Sequence, residues 1–419
     1  MKKIRIALLG MSLRSRNLGV QALTVSFLEF ITEASAGSFE PIFYMVNFEE
    51  GFEEEHITVR DRKYTVKYVF PTMLSTPKDI ARSIVKDLRP GHLLDLWRKL
   101  SVDIVFCIGA GDSFSDIYGA FRYKIVNEPI RFFHSIGKPY VFLPQTIGPF
   151  NDPQIRVSAQ KTLANACSVM VRDQQSCDVA HELAPSKRIE SFIDLAFFLG
   201  YEQRVFSHER INVGINVSGL LWNSPQESFS LKSDYRETIK RVLDFFVEMQ
   251  DVNVYLVAHV PGKKESQDND YFVMQEIAAG YQGKNVALAP FFETATEAKN
   301  FISGLDFFTG AMMHACIAAF SSGVPVVPMS YSRKFNGLFL DTLSYDRKHF
   351  ADLKADSTGD ILNTIRDSFF GRDAIKAEIE KTNGGIVKDN RTAIINTLMQ
   401  ILHDTLHVET GHGQTQHSF

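Results

Sequence analysis

The chain has 419 residues, more than one hydrophobic core usually organises, so two domains of roughly 150–200 residues are expected. Apolar residues make up 45% and charged residues 22%, ordinary values for a globular enzyme. A net charge of −4 gives no basic footprint of the kind nucleic-acid binding requires.

The opening MKKIRIALLG reads as a first β-strand, because Arg5 cuts its apolar run short and a glycine turn follows, which a secretory leader would not show. The loop MSLRSRNLG comes next and carries Arg14, Arg16 and Asn17. It leads into VQALTVSFLEFITEA, whose apolar positions recur at helical spacing. Backbone donors and cations placed just before a helix can hold a phosphate, although a solvated basic loop has the same composition. Glu40–Val46 and Tyr64–Phe70 read as strands, and the acidic run Glu49–Glu55 between them as an exposed loop. Ile80–Leu100 reads as helix with a break at Pro90 and Gly91.

VDIVFCIGAGDSFSD is a buried strand running into a glycine-rich turn with Asp112, and the glycines permit close backbone approach to a ligand. Pro129–Ile136 reads as helix, and KPYVFLPQTIGPF as a strand ending in a turn at Gln145. A helix over Asp152–Ala166 and a short strand follow, then Arg172 and Asp173. Arg172 is either an anion ligand or half of a local ion pair with Asp173. Asp194, alone in SFIDLAFFLG, must be hydrogen-bonded or paired if buried, so it caps structure or faces a site.

The polar stretch Gly200–Arg210 is the expected linker. A second α/β unit then begins with INVGINVSG and continues through VNVYLVAHV, which ends at His259, a histidine open to a structural or a functional role. Ile302–Leu340 is the richest stretch. LDFFTG is a short buried strand stopping at Gly310, MMHACIAAFSSG is a helix with His314 near its N-terminus, and VPVVPM is another strand, followed by Tyr331, Ser332, Arg333 and Lys334. One imidazole, two cations and free helix-terminal N–H groups thus fall at one sheet edge, where open α/β sheets bind ligands, and the combination suits a small anion.

Helices over Gly359–Phe369 and Ala374–Leu406 close the chain, the second interrupted at Gly384 and Gly385. The expected fold is α/β, with two doubly wound Rossmann-like domains and a cleft between them: residues 1–203, residues 204–375, a helical segment 376–406 packing back on the first domain, and a disordered tail 407–419.

Cys107, Cys167, Cys177 and Cys316 lack metal-ligand spacing and read as reduced core thiols, which points to a reducing, cytoplasmic compartment. No run of about 18 apolar residues exists to span a membrane, and attachment at a membrane's inner face stays compatible with the sequence.

NLGVQAL, DIVFCIGAGDSFSD, PYVFLPQTIGPF, VMVRDQQS, DLAFFL, AHVPG and above all GAMMHACIAAFSSGVPVVPMSYSRKFNG occur in the order found in polysaccharide pyruvyl transferases, and from Ile4 to about Gly337 the chain resembles that family. The resemblance implies a GT-B-like fold and transfer of the enolpyruvyl carbons of phosphoenolpyruvate to a sugar as a pyruvate ketal, with release of phosphate. The acceptor implied is a glycan or lipid-linked saccharide of surface-polysaccharide assembly, with no metal, no cofactor and no nucleic-acid partner. His314 then becomes the acid that protonates the methylene carbon. Arg172, Arg333 and Lys334, with Gly310 and Ser332, become donor-binding residues. Arg14, Arg16, Asn17, Asp112, Gln145 and His259 are further candidate contacts to donor or acceptor.

The chain departs from the family where an arginine usually stands two residues before the histidine, here Met312, and where an aspartate usually follows Asn-x-Gly, here Val20. A thioether cannot replace a bidentate guanidinium, so Arg14, Arg16 or Lys334 supplies the charge, or the donor has changed. A nucleotide-sugar glycosyltransferase with His314 and Arg333 near the diphosphate, and a glycan-binding protein without catalysis, are the two alternatives.

Overall fold

The computed structural model describes residues 1–48, 53–59, 62–74, 85, 93–207, 209–262 and 266–411, with the backbone alone at 226 and 406–411. It divides into two compact units. Unit 1 comprises residues 1–12, 27–194 and 390–419, and unit 2 comprises 13–26 and 195–389. The division falls at 194/195 rather than at 203/204, and residues 13–26 group with unit 2 instead of with the strand they follow.

Unit 1 is built on eight strands: β1 (Lys2–Leu9), β2 (Phe39–Val46), β3 (Glu54–Val59), β4 (Arg62–Val69), β5 (Ile104–Cys107), β6 (Tyr140–Gln145), β7 (Ser168–Val171) and β8 (Ile189–Ser191). They lie in the order β3-β4-β2-β1-β5-β6-β7-β8, and every pairing is parallel except β3 with β4. Central parallel strands are covered on both faces, which is why IVFC and VFL are uninterrupted apolar runs. The strand order reverses between β1 and β5. There the turn glycines meet: a Cβ on Gly10 would lie 2.6 Å from the Gly109 nitrogen.

Unit 2 has six strands, β9 (Ile211–Asn216), β10 (Val252–Leu256), β11 (Val286–Leu288), β12 (Phe307–Gly310), β13 (Val326–Ser330) and β14 (Ala351–Asp352), in the all-parallel order β11-β10-β9-β12-β13-β14. Counted within the unit this is 3-2-1-4-5-6, the Rossmann order, with its switch point between β9 and β12. Val213, Ile215, Val254, Phe307 and Val327 form the middle of its core, against Ile239, Val242 and Phe246 of the helix Tyr235–Val247.

Several local expectations shift. Glu54 and Glu55 open an antiparallel edge strand instead of lying in a loop, while residues 49–52 fall outside the described residues. The expected helix over Ile80–Leu100 is described as Leu93–Leu100, and its Pro90-Gly91 break lies outside the described residues. The helix placed at Pro129–Ile136 begins ten residues earlier, at Gly119, with Pro129 in its interior. A proline is more familiar as a helix start, and that misplaced the boundary. The last helix runs Lys388–Gly411, so 407–411 are helical rather than disordered, and the tail beyond lies outside the described residues. From Asn390 onward this helix groups with unit 1, where Asn390 accepts from the Ile193 N–H (3.0 Å) and Arg391 pairs with Glu33 at 2.5 Å. All four cysteines are free thiols. Cys107 and Cys316 are buried as expected, but Cys167 is exposed and Cys177 only partly covered.

Candidate functional site

The C-terminal ends of β9, β10, β12 and β13 in unit 2 gather most of the marked residues. Asn216, the last residue of β9, ties three strand ends together. Its side-chain oxygen accepts from the Met312 N–H (2.9 Å), and its amide nitrogen donates to the Val257 carbonyl (2.9 Å) and to Asp270 (3.4 Å). Gly310 is the last residue of β12, and a Cβ there would stand 2.6 Å from that of Asn216. Its lack of a side chain therefore serves this strand-to-strand approach.

Met312 N-caps the helix Met313–Ser321, placing His314 in the first turn, where backbone N–H groups lack intrahelical acceptors and carry the positive end of the dipole. His314 as a whole is half-buried, and its Nε2 is buried.

The loop after β1 lies against this ring. A Cβ on Gly19 would stand 2.0 Å from His314 Nδ1 and 2.5 Å from its Cγ, so only glycine fits beside the imidazole. Each conspicuous residue of NLGVQAL has a part in holding the loop. The Asn17 carboxamide accepts from the Gly19 N–H (3.0 Å), and the Leu18 N–H donates to the His259 carbonyl (3.1 Å). Gln21, 5% exposed, donates to the carbonyls of Ser15 (2.8 Å) and Glu293 (3.1 Å) and accepts from the Ala295 N–H (3.0 Å). Arg14 and Arg16 are exposed on the same loop, in the unit that holds His314. Gly19→Ala is expected to displace the ring and cut turnover by about tenfold or more, since a misplacement of about 1 Å can cost 10²-fold. Steady-state assay with a thermal melt checks this, and unchanged turnover contradicts it.

Just past the end of β10, His259 is 2% exposed, and its Nδ1 is buried with no hydrogen-bond partner among the described residues. Its backbone N–H donates to Asp270 (2.7 Å), which also accepts from the Val260 N–H (2.9 Å) and is itself fully buried. Burial, reinforced by the neighbouring His314, lowers the His259 pKa from 6.5 to about 3 and keeps the ring neutral. Burial likewise raises Asp270 from 3.8 to about 7, against the opposing pull of its hydrogen-bond donors.

The two shifts act oppositely on stability. The His259 share is complete above about 6.5 and is lost as pH falls toward 3, while the Asp270 share is complete below 3.8 and is lost as pH rises through 7. Between pH about 4 and about 6.5 their slopes, each about 1.4 kcal/mol per pH unit, oppose one another. Denaturant unfolding of His259→Gln should therefore lose stability with rising pH in this window, and that of Asp270→Asn should gain it. Parallel profiles in the two variants contradict the assignment.

After β13, Ser332 N-caps the short helix Arg333–Phe335, and its hydroxyl is buried without a partner among the described residues. Arg333 and Lys334 follow, both half-buried. Since β13 pairs with β12, both cations leave the sheet one strand away from His314.

The other three candidates belong to unit 1. Asp112 accepts from the Tyr118 hydroxyl (2.9 Å). Gln145 is fully buried under Gly109, donating to the carbonyls of Cys107 (2.8 Å) and Leu143 (3.2 Å), with its own oxygen unpartnered among the described residues.

Arg172 departs from its expected role. It is 2% exposed, with its guanidinium on Asp194 and, at 3.0 Å, on the Thr146 hydroxyl. Burial would lower its pKa, but Asp194, Asp112 and Asp173 outweigh that and raise it. A guanidinium so enclosed and neutralised is part of the core and is not placed as a donor-anion ligand. Its ion-pair partner is Asp194 rather than the adjacent Asp173, which caps the helix Gln174–Leu183 through the Ser176 N–H (2.7 Å). Sequence reasoning also passed over Asn216, Asp270 and Gln21. A polar residue within an otherwise apolar run was the available signal for Asn216 and Gln21, whereas Asp270 lies in the polar stretch ESQDNDY and carried none.

Among the described residues, no three or more His, Cys, Asp or Glu side chains gather as metal ligands, and no helix is long and apolar enough to cross a membrane.

The chain is similar in fold to a UDP-N-acetylglucosamine 2-epimerase of Listeria monocytogenes described as putative (10% identity, 100% of this chain and 99% of that one, TM-score 0.56). It is similar to a sucrose-phosphate synthase of Thermosynechococcus elongatus (10% identity, 97% and 100%, TM-score 0.58) and to the trehalose-6-phosphate synthase OtsA (10% identity, 95% and 99%, TM-score 0.55). These likenesses show a GT-B type of fold made of two Rossmann-like units. No curated protein matches the chain in sequence. The polysaccharide pyruvyl transferase signature matches residues 51–333, about two thirds of the chain, which takes in strands β3 to β13 and the His314 helix. The chain belongs to the polysaccharide pyruvyl transferase family.

Proposed function

We propose that this transferase moves the three-carbon unit of phosphoenolpyruvate onto two hydroxyls of a sugar in a surface-polysaccharide precursor, a lipid-linked glycan built on the cytoplasmic side, without metal or cofactor. His314 donates a proton to C3 of the donor. C2 becomes electrophilic, one sugar hydroxyl adds there, and the C–O bond to phosphate breaks. The second hydroxyl closes the ketal; of the two hydroxyl protons one restores His314 and the other leaves with phosphate, so donor and diol yield ketal and inorganic phosphate with no redox change. Arg14, Arg16, Arg333 and Lys334 supply the charge that a phosphate and a carboxylate demand, in place of the guanidinium absent at Met312. Neutral His259 beside His314 adds no competing positive charge.

The observation that carries this reading is the placement of the family's histidine in the first turn of Met313–Ser321, held against Gly19 by the loop that also carries two arginines. The experiment offers phosphoenolpyruvate or nucleotide sugars with a panel of glycans and measures released phosphate or nucleotide, with chelator in parallel. Glycan-dependent phosphate release that survives chelator is expected. Nucleotide release with phosphoenolpyruvate untouched would make the protein a glycosyltransferase instead.

A further inference from the structure

Among the described residues, one face of the unit 1 sheet is open at the flank formed by β2, β4 and β3, and strand register identifies what it displays. Lys3 pairs with Glu40 and Arg5 with Ile42, so these side chains share a face, since residues two apart in a strand point the same way. The register of β4 adds Lys63 and Lys67 to this face, and that of β3 adds Glu54 and His56. Lys3, Lys63, Glu54 and His56 are all solvent-exposed. Lys3, Lys63 and Glu54 border a depression of about 720 Å³ that Glu40, Arg62 and Lys67 also line, and Glu54 lies 3.9 Å from the His56 ring. Cations outnumber carboxylates across it.

The helix Leu93–Leu100 adjoins the same face, because the Arg5 guanidinium stands over the Trp97 ring at 6.0 Å. This helix is anchored from below by Lys99. Lys99 is 1% exposed, donates to the Thr72 hydroxyl (2.8 Å) and lies over the Phe132 ring at 5.6 Å. Its outer side is apolar: Leu93, Leu94, Trp97 and Leu100 are 56, 52, 54 and 49% exposed. At 100° per residue these four fall within an arc of about 120°, opposite Lys99.

We infer that this surface docks on an anionic lipid bilayer. Half-exposed leucines and a tryptophan suit the boundary between headgroups and acyl chains, and the adjoining lysines and arginines suit lipid phosphates. An isologous contact with a second copy would press the same excess of cations against itself, and a nucleic acid would leave the leucines uncovered. The inference rests on no assumption about the reaction catalysed.

Co-sedimentation of the full chain with phosphatidylcholine vesicles, with and without phosphatidylglycerol, tests it. Binding to the anionic vesicles is expected, about tenfold or more above the neutral ones and falling with added salt. Leu94→Ser/Trp97→Ser and, separately, Lys63→Glu/Lys67→Glu should each reduce it about tenfold or more, with melting temperatures unchanged because all four side chains reach solvent. Failure to bind either vesicle, equal binding to both, or full binding by either double variant overturns the inference. So does a dimer in light scattering that Leu94→Ser/Trp97→Ser converts to monomer without any vesicle binding.

Discussion

His314→Ala is expected to lower glycan-dependent phosphate release from phosphoenolpyruvate by about 10²–10⁴-fold, the usual range for losing a positioned acid. His314 as a whole is only half-buried and sits at a helix start, so loss of its ring should leave the melting temperature within a few degrees of the parent's. His314→Gln sharpens the test, since it keeps much of the volume against Gly19 but has no proton to give near neutral pH. Both variants should retain affinity for the donor while losing turnover, because the cations proposed to hold its anions are separate residues. A His314→Gln enzyme with near-parental turnover would show the ring to be a spacer and not an acid.

The second large effect is on folding. Arg172→Ala is expected to cost about 3–5 kcal/mol, because it takes the guanidinium away from the fully buried Asp194 carboxylate. Chemical denaturation measures it directly. Arg172→Met/Asp194→Leu should recover most of the loss, since replacing both charges by apolar groups of similar volume removes the stranded ion along with the pair. If Arg172→Ala unfolds like the parent but no longer binds phosphoenolpyruvate, the guanidinium serves the ligand after all.

These two residues also show how far the sequence could be read. The Rossmann character of both units followed from apolar runs ending in glycine and from helical spacing between them, and His314 could be placed at a helix start because Gly310 and Gly323 bracket its strand and helix. These are local signals, set by neighbours in the chain. Arg172 was not legible in the same way, because its partner lies 22 residues on and a strand-end arginine reads alike whether it faces solvent or the core. Gly19 was visible as a glycine, but nothing local says that the space it leaves is filled by an imidazole 295 positions later. The reassignment of residues 13–26 to the second unit has the same origin: Gln21 bonds the backbone at Glu293 and Ala295, contacts that no periodicity encodes. The edge strand β3 was missed because an acidic run resembles a solvated loop, although charges are one way natural sheets protect an exposed edge.

The most direct test of pyruvyl transfer is to run the reaction in deuterium oxide with phosphoenolpyruvate and an accepted glycan, and to read the product methyl group by mass and NMR. Proton delivery to C3 predicts a pyruvate ketal whose methyl carries one deuterium, formed in step with inorganic phosphate. A product lacking the three-carbon unit, with phosphoenolpyruvate recovered unchanged, would contradict the account.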